Sequence, residues 1–97
     1  MKFEWDEEKR KVNVQKHGLD FADAEEIFAV PMFAARDDRA DYGEVRFVGI
    51  GFLRNIIVVV VYTEPDEETV RVISLRKALT HERERLEATL RDELGAG

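Results

Sequence analysis

The apolar run "IIVVVVY" at residues 56–62 constrains the fold of this chain more than any other feature of its sequence. Its β-branched side chains favour extended backbone. An unbroken apolar run, rather than an alternating one, is typical of a strand that is covered on both faces. The run is too short for a membrane helix, which needs about 20 apolar residues. We therefore predict a central strand here.

The flanking segments predict further strands and helices. Short alternating or aromatic segments predict strands at "KFEW", "MFAARDD", "EVRFVGIGF" and "TVRVISLRK". Helices are predicted for "EEKRKVNVQKH" behind the N-cap Asp6, for an apolar stripe between Asp20 and Pro31, and for "LTHERERLEATLRDEL". The fold class is therefore α+β: a short N-terminal strand, two helices, an antiparallel four-stranded sheet and a C-terminal helix. A single domain over residues 1–97 is expected.

Composition and missing motifs exclude several classes of function. The 97 residues carry a net charge of −6, which argues against indiscriminate binding to nucleic acid. The chain has no cysteine, and its first residues are too charged for a secretory signal, so we expect a cytoplasmic protein. It contains no Gly-rich phosphate loop, GxSxG elbow or HExxH motif, and its two histidines are far apart in sequence. We therefore expect no metal, no cofactor and no contact with a membrane.

The motif "KHG" at residues 16–18 has a structural and a functional interpretation. Gly18 is well placed as the left-handed residue that ends the first helix, with Lys16 and His17 near the last carbonyl groups. This role requires neither side chain, because a helix can end with any cation or with none. The alternative is that His17 takes part in chemistry.

Basic residues at the ends of the predicted strands are candidates for anion binding. Arg46 lies on an inner strand, Arg71 opens the last strand, and Arg76 and Lys77 close it. Guanidinium groups donate in a plane to two phosphate oxygens. Metal-free cleavage of RNA needs such cations, together with groups that move protons. The alternative is that these side chains are solvated or paired, as charged residues usually are.

Glu82 lies on the apolar stripe of the last predicted helix, three residues after Leu79 and four before Leu86. A carboxylate that is half buried there needs a cationic partner. The candidate partners are Arg76, Lys77 and Arg46. The alternative is a solvated position on the flank of the stripe.

Several blocks of the sequence, taken in order, resemble the BrnT family of bacterial type II toxins. They are "FEWDEEKRKVNVQKHGLDFADAEEIF", "GEVRFVGIG", "VVVVYTE", "RVISLRKA" and "HER", and they extend from Phe3 to about Glu87. The resemblance implies a RelE-like ribonuclease fold and cleavage of RNA that inhibits translation and growth. It also implies a ribbon-helix-helix antitoxin (BrnA-like) as partner, with operator DNA contacted only through that antitoxin.

Positions that match the family pattern supply most of the candidate site residues, and Lys77 and His81 are added as basic residues at and just after the end of the last predicted strand. The catalytic candidates are Arg46, Arg76 and Lys77 at the scissile phosphate, and His17 or His81 for proton transfer. The further candidates are Lys16, Arg71 and Arg83 for RNA binding, and Glu82 and Glu64 for supporting ion pairs.

Two positions depart from the pattern, and at the first of them Leu79 stands where the family often has Thr. Leu86 stands where the family often has an aromatic residue. The chain therefore supports a second hypothesis, in which a toxin-like protein no longer cuts RNA and serves as a binding partner or corepressor.

Overall fold

The computed structural model describes residues 1–95, apart from the side chain of Leu94, and arranges them as one sheet with helices. The strands are β1 (Lys2–Trp5), β2 (Phe33–Arg36), β3 (Phe47–Leu53), β4 (Ile56–Asp66) and β5 (Thr69–Lys77). The helices are α1 (Glu7–His17), α2 (Ala24–Phe28), which a 3₁₀ turn at Phe21–Asp23 precedes, and α3 (Thr80–Gly95). Within residues 1–95, no helix combines the length and apolar character that a membrane crossing requires.

The sheet has the strand order β1-β5-β4-β3-β2, so the predicted α+β class is confirmed. All neighbouring strands are antiparallel except β1, which runs parallel to β5. The N-terminal strand is thus a fifth strand of the same sheet, at its edge. It joins there because Phe3 and Trp5, on alternate positions, pack against the main core.

The strand β4 is central, as its apolar run predicts. Val58, Val59 and Val60 are each at most 1% exposed. Val58 and Val60 belong to the main core, which lies on the side of α2, whereas Val59 is buried outside that cluster. Arg76 pairs with Val59 across the strands and contacts Glu82 of α3. α3 therefore lies over the second face of the sheet near Val59.

Three boundaries differ from the sequence predictions. The second helix is short and ends at Phe28, ahead of Pro31. Leu79 is exposed because it precedes the first turn of α3, whereas Leu86 is buried, so the predicted apolar stripe is only partly covered. Arg46 lies in the loop before β3 rather than on an inner strand, and its carbonyl group accepts a hydrogen bond from the loop backbone.

Both ends of α1 are capped as predicted. The Asp6 carboxylate accepts hydrogen bonds from two backbone N–H groups of the first turn. Gly18 adopts the left-handed conformation, with φ of 70°, and donates its N–H to the carbonyl of Val14. The structural interpretation of "KHG" is confirmed, and backbone atoms make this cap.

A β-bulge in β5 changes the face that its side chains occupy. The pairing of β5 with β4 slips by one residue at Ile73. As a result, Val72 and Leu75 both belong to the main core although they are an odd number of residues apart. Because side chains alternate along a strand, the slip places Ser74 and Arg76 on the opposite face.

The side chain of Asn13 joins α1 to the open edge of β5. The pairing of β1 with β5 ends at Val72, and beyond it the buried amide of Asn13 meets the backbone of Leu75. Asn13 donates to the Leu75 carbonyl at 2.8 Å and accepts from the Leu75 N–H at 3.1 Å. Its second amide hydrogen is donated to the carbonyl of Leu19 at 2.9 Å. One side chain therefore replaces a strand neighbour and also holds the turn after α1.

The substitution Asn13→Ala should destabilise the fold by about 2–4 kcal/mol, because it leaves three buried backbone groups without partners. Urea unfolding of the full chain measures this change. The matched control is Gln15→Ala, an exposed position on the same helix, which should change the free energy of unfolding by less than about 0.5 kcal/mol. Equal stability of the two variants would show that Asn13 does not hold α1 to β5.

Candidate functional site

A cleft of about 340 Å³ lies on the sheet face opposite the main core, beside the loop after β2 and the start of α3. Its floor is apolar and its walls combine arginines, carboxylates and a hydroxyl group. The lining residues are Arg36, Asp37, Asp38, Arg39, Val48, Val59, Val61, Ser74, Arg76 and Glu82. We call this the arginine cleft.

Arg76 is held in the arginine cleft by Glu82. Its guanidinium donates two hydrogen bonds to the Glu82 carboxylate, at 2.7 and 2.8 Å. Glu82 also accepts from the backbone N–H of Leu79 at 2.7 Å, the carboxylate half of a capping box at the start of α3. Of the three predicted partners of Glu82, Arg76 is the one that binds it.

The two side chains stabilise each other's charged forms. The hydrogen bonds from Arg76 lower the pKa of Glu82 to about 2, against the opposing effect of its burial. The carboxylate in turn raises the pKa of Arg76. Glu82 is 17% exposed, so the predicted solvated alternative does not hold.

Asp37 fixes the loop that forms the other wall. Its side chain is 2% exposed and accepts hydrogen bonds from the Arg39 guanidinium at 2.7 and 2.8 Å, and from the Tyr42 hydroxyl at 3.2 Å. These bonds, those from Arg39 first, hold the pKa of Asp37 well below its usual range. The Arg39 side chain itself is 70% exposed. Its positive charge acts to lower the pKa of Arg76, against the larger effect of Glu82. Two arginines, each bound to a carboxylate, thus meet in this cleft.

Arg36 and Arg39 are cleft residues that the sequence predictions did not include. The segment "MFAARDD" was predicted as a strand and "RADYG" after it as a polar turn, and their charges were not related to the site. The strand ends earlier, at Arg36, so Asp37 and Asp38 belong to the loop. The signal was the string "RDDR" at residues 36–39, directly after a strand. Two acids between two arginines at a strand end indicate an ordered loop that is held by its own ion pairs, such as Arg36 with Asp38 at 2.9 Å.

Arg46 does not join Arg76 in the arginine cleft. Its guanidinium pairs with Glu44 at 3.4 Å and lies 4.1 Å from the centre of the Tyr42 ring. Lys77 is exposed at the end of β5 and lines a different, smaller cavity together with Arg83. The three predicted phosphate ligands are therefore not brought together, and only Arg76 lies in the cleft.

The remaining candidates lie around the cleft or far from it. Lys16 and His17 line a groove between α1 and β5 that also contains Ser74. His81 is exposed in the first turn of α3. Arg71 lies near the opposite end of β5, where its side chain comes within 3.9 Å of Glu4.

Glu64 takes no part in the arginine cleft. It is exposed on β4 and lines another cavity, with Tyr62 and Glu67. Among residues 1–95 the structure shows no ion pair for it, so the supporting role predicted for Glu64 does not match its position.

The arginine cleft is suited to bind an anion and to stabilise added negative charge. Guanidinium groups remain protonated at all physiological pH values and can donate to two oxygens of one phosphate. The carboxylates Asp37 and Glu82 are poor bases, because their arginine partners keep their pKa values low. In the part of the chain that the structure describes, no group of three acidic or histidine side chains could hold a metal ion.

The substitution Glu82→Gln should lower the free energy of unfolding at pH 7 by about 1–3 kcal/mol, because a bond between two charged groups is lost. The folded pKa of Glu82, about 2, lies below its usual value of 4.5. The stabilisation is therefore complete above about pH 4.5 and is lost as the pH falls towards 2.

Urea unfolding at a series of pH values measures the difference between wild type and Glu82→Gln. Glu84→Gln, an exposed position in the same helix, is the matched control. A difference that stays constant from pH 7 to pH 2 would contradict the ion pair.

Comparison with known proteins shows the family of this chain. The family model described as "Ribonuclease toxin, BrnT, of type II toxin-antitoxin system" matches residues 5–82. The chain also matches the 1.1 Å crystal structure of the Brucella abortus ribonuclease toxin, BrnT, with a TM-score of 0.63 and 38% identity, covering 82% of this chain and 99% of that chain. No curated protein matches the chain significantly. The chain therefore belongs to the BrnT family, the ribonuclease toxins of type II toxin–antitoxin systems, and its partner is an antitoxin.

Proposed function

We propose that the arginine cleft is where this toxin binds and cuts RNA, and that cleavage there inhibits translation and growth. The observation that supports this proposal is the meeting of Arg39 and Arg76, each oriented by a carboxylate, above an apolar floor. Such a floor suits a ribose or a base, and the two guanidinium groups suit the phosphate beside it.

The reaction needs only groups that bind a phosphate and exchange protons. The 2′-hydroxyl oxygen attacks the adjacent phosphorus, and the bond from phosphorus to the 5′-oxygen of the next nucleotide breaks. The products are a 2′,3′-cyclic phosphate and a 5′-hydroxyl end, and one proton moves from the attacking 2′-oxygen to the departing 5′-oxygen. Arg39 and Arg76 stabilise the negative charge that builds up on the phosphorane. The proton-transfer roles predicted for His17 and His81 stay predictions, because both side chains lie outside the cleft lining.

The ion pairs of the cleft also support cleavage without a metal ion. The carboxylates that a divalent ion would need are bound to arginines: Asp37 to Arg39, Asp38 to Arg36 and Glu82 to Arg76. Hard cations such as Mg²⁺ take oxygen ligands, and these oxygens already accept hydrogen bonds.

Cleavage of single-stranded RNA by the purified chain should therefore continue at an unchanged rate in excess EDTA. The measurement is the rate of appearance of 5′-hydroxyl ends with and without the chelator. An activity that EDTA abolishes and that added Mg²⁺ alone restores would show that the mechanism depends on a metal.

The antitoxin is proposed to be of the ribbon-helix-helix (BrnA-like) type, so that the complex contacts operator DNA only through the antitoxin. Arg83 and Arg85 are exposed on α3, the helix whose Glu82 lines the arginine cleft. An acidic segment of the antitoxin that pairs with them would approach the cleft and block the entry of RNA.

The substitution Arg76→Lys should lower the cleavage rate by about 10²–10³-fold, because the single ammonium group loses the planar donation of the guanidinium to the phosphorane. The fold should be kept, because a lysine still places a cation beside Glu82. Single-turnover cleavage measures the rate, and urea unfolding measures the stability.

Arg54→Lys is the matched control, since Arg54 is also an arginine that binds carboxylates, in the turn between β3 and β4. Arg54→Lys should leave the cleavage rate and the free energy of unfolding near those of the wild type. Full activity of a well-folded Arg76→Lys variant would remove Arg76 from the reaction centre.

A further inference from the structure

A groove of about 320 Å³ between α1 and β5 is not used by the proposed reaction. Val12 of α1 and Ile73 at the β-bulge give it an apolar surface, and Val12 is 58% exposed. Lys9, Lys16 and His17 surround this surface with basic side chains. The groove therefore combines an aliphatic contact area, which suits the face of an unstacked base, with a basic rim, which suits its phosphate.

The groove and the arginine cleft are neighbours. Ser74 lines both of them, on the same strand as Arg76. The bulge at Ile73 is what allows this, because it places Ser74 on the cleft face while Ile73 faces the groove. An RNA strand that leaves the arginine cleft over Ser74 enters the groove directly.

We propose that the α1–β5 groove binds the RNA nucleotide that flanks the scissile phosphate, with its base against Val12 and Ile73 and its phosphate at Lys16. This assignment rests on the function proposed for the arginine cleft. It explains why "KHG" carries two basic side chains that the helix cap does not use.

The polar groups of the groove favour this occupant. Both amide hydrogens of Asn13 are donated to backbone carbonyl groups and its oxygen accepts from a backbone N–H, so a base in the groove meets mainly apolar surface rather than Asn13. Glu8, the carboxylate among the described lining residues, comes within 3.8 Å of Lys11 and is partly neutralised. What remains at the rim is positive, which suits the phosphate of RNA.

The test is the affinity of the full chain for a labelled single-stranded RNA whose 2′-O-methyl groups prevent cleavage. Val12→Glu should weaken binding by about tenfold or more, because the base loses its apolar surface and the new carboxylate repels the RNA phosphates. Val14→Glu is the matched control, since Val14 is also an exposed valine of α1 but does not line the groove. It should bind as the wild type does.

A second measurement concerns Lys16. Lys16→Ala should reduce the slope of log Kd against log salt concentration by about 0.7, the value for one phosphate contact to a single strand. Lys2→Ala, an exposed lysine of β1 outside the groove lining, should leave the slope unchanged.

The outcomes separate this assignment from the proposed function. If the wild type cuts RNA and Val12→Glu binds it as tightly as Val14→Glu does, the groove is not an RNA subsite, and the arginine cleft stands alone. If Val12→Glu weakens binding of the co-encoded antitoxin and leaves RNA binding unchanged, the groove belongs to the antitoxin and the assignment is overturned. If the wild type fails to cut RNA, it is the proposed function that fails.

Discussion

The amide of Asn13 is the contact on which the geometry of the functional surface depends. The strand β5 has a regular neighbour, β1, along only part of its length, and a bare strand edge beyond that point exposes backbone groups. Asn13 satisfies one donor and one acceptor there with a single side chain, and it also ties down the turn after α1. The position of α1 relative to β5, and hence of Lys16 and His17 relative to Ser74, follows from this contact.

Each of the arginines Arg39 and Arg76 has a fixed orientation and a partly neutralised charge, because it is bound to a carboxylate. A guanidinium bound to a carboxylate is already oriented, so it loses little conformational freedom when a phosphate arrives. The same carboxylate reduces the net charge that a distant polyanion meets. This arrangement fits a chain with a net charge of −6, in which binding depends on local geometry more than on general attraction.

Local patterns predicted most of the fold, because the signals for strands and caps are themselves local. The apolar run of β4, the N-cap at Asp6 and the left-handed Gly18 all lie where their residue types predict. The site was predicted less well, because its assembly depends on long-range packing. A helical spacing predicted that Glu82 needs a cationic partner and gave Arg76 as one of three candidates, whereas Arg39 lines the cleft in a loop that a buried Asp37 holds in place. Arg46 was predicted on a strand, but β3 begins one residue later, at Phe47, so Arg46 lies in the loop.

The extra residue in β5 makes the faces of this strand a matter of parity. If all its residues paired regularly with β4, Leu75 would lie opposite Val59 and Arg76 opposite Val58. Leu75 would then leave the main core and a guanidinium would enter it, at a cost that small domains do not survive. Loss of Ile73 alone would instead remove the bulge and keep both faces, because Ser74 already lies opposite Val61. Related chains that lose the bulge residue can therefore keep the cleft, whereas chains that have the residue must keep the bulge with it.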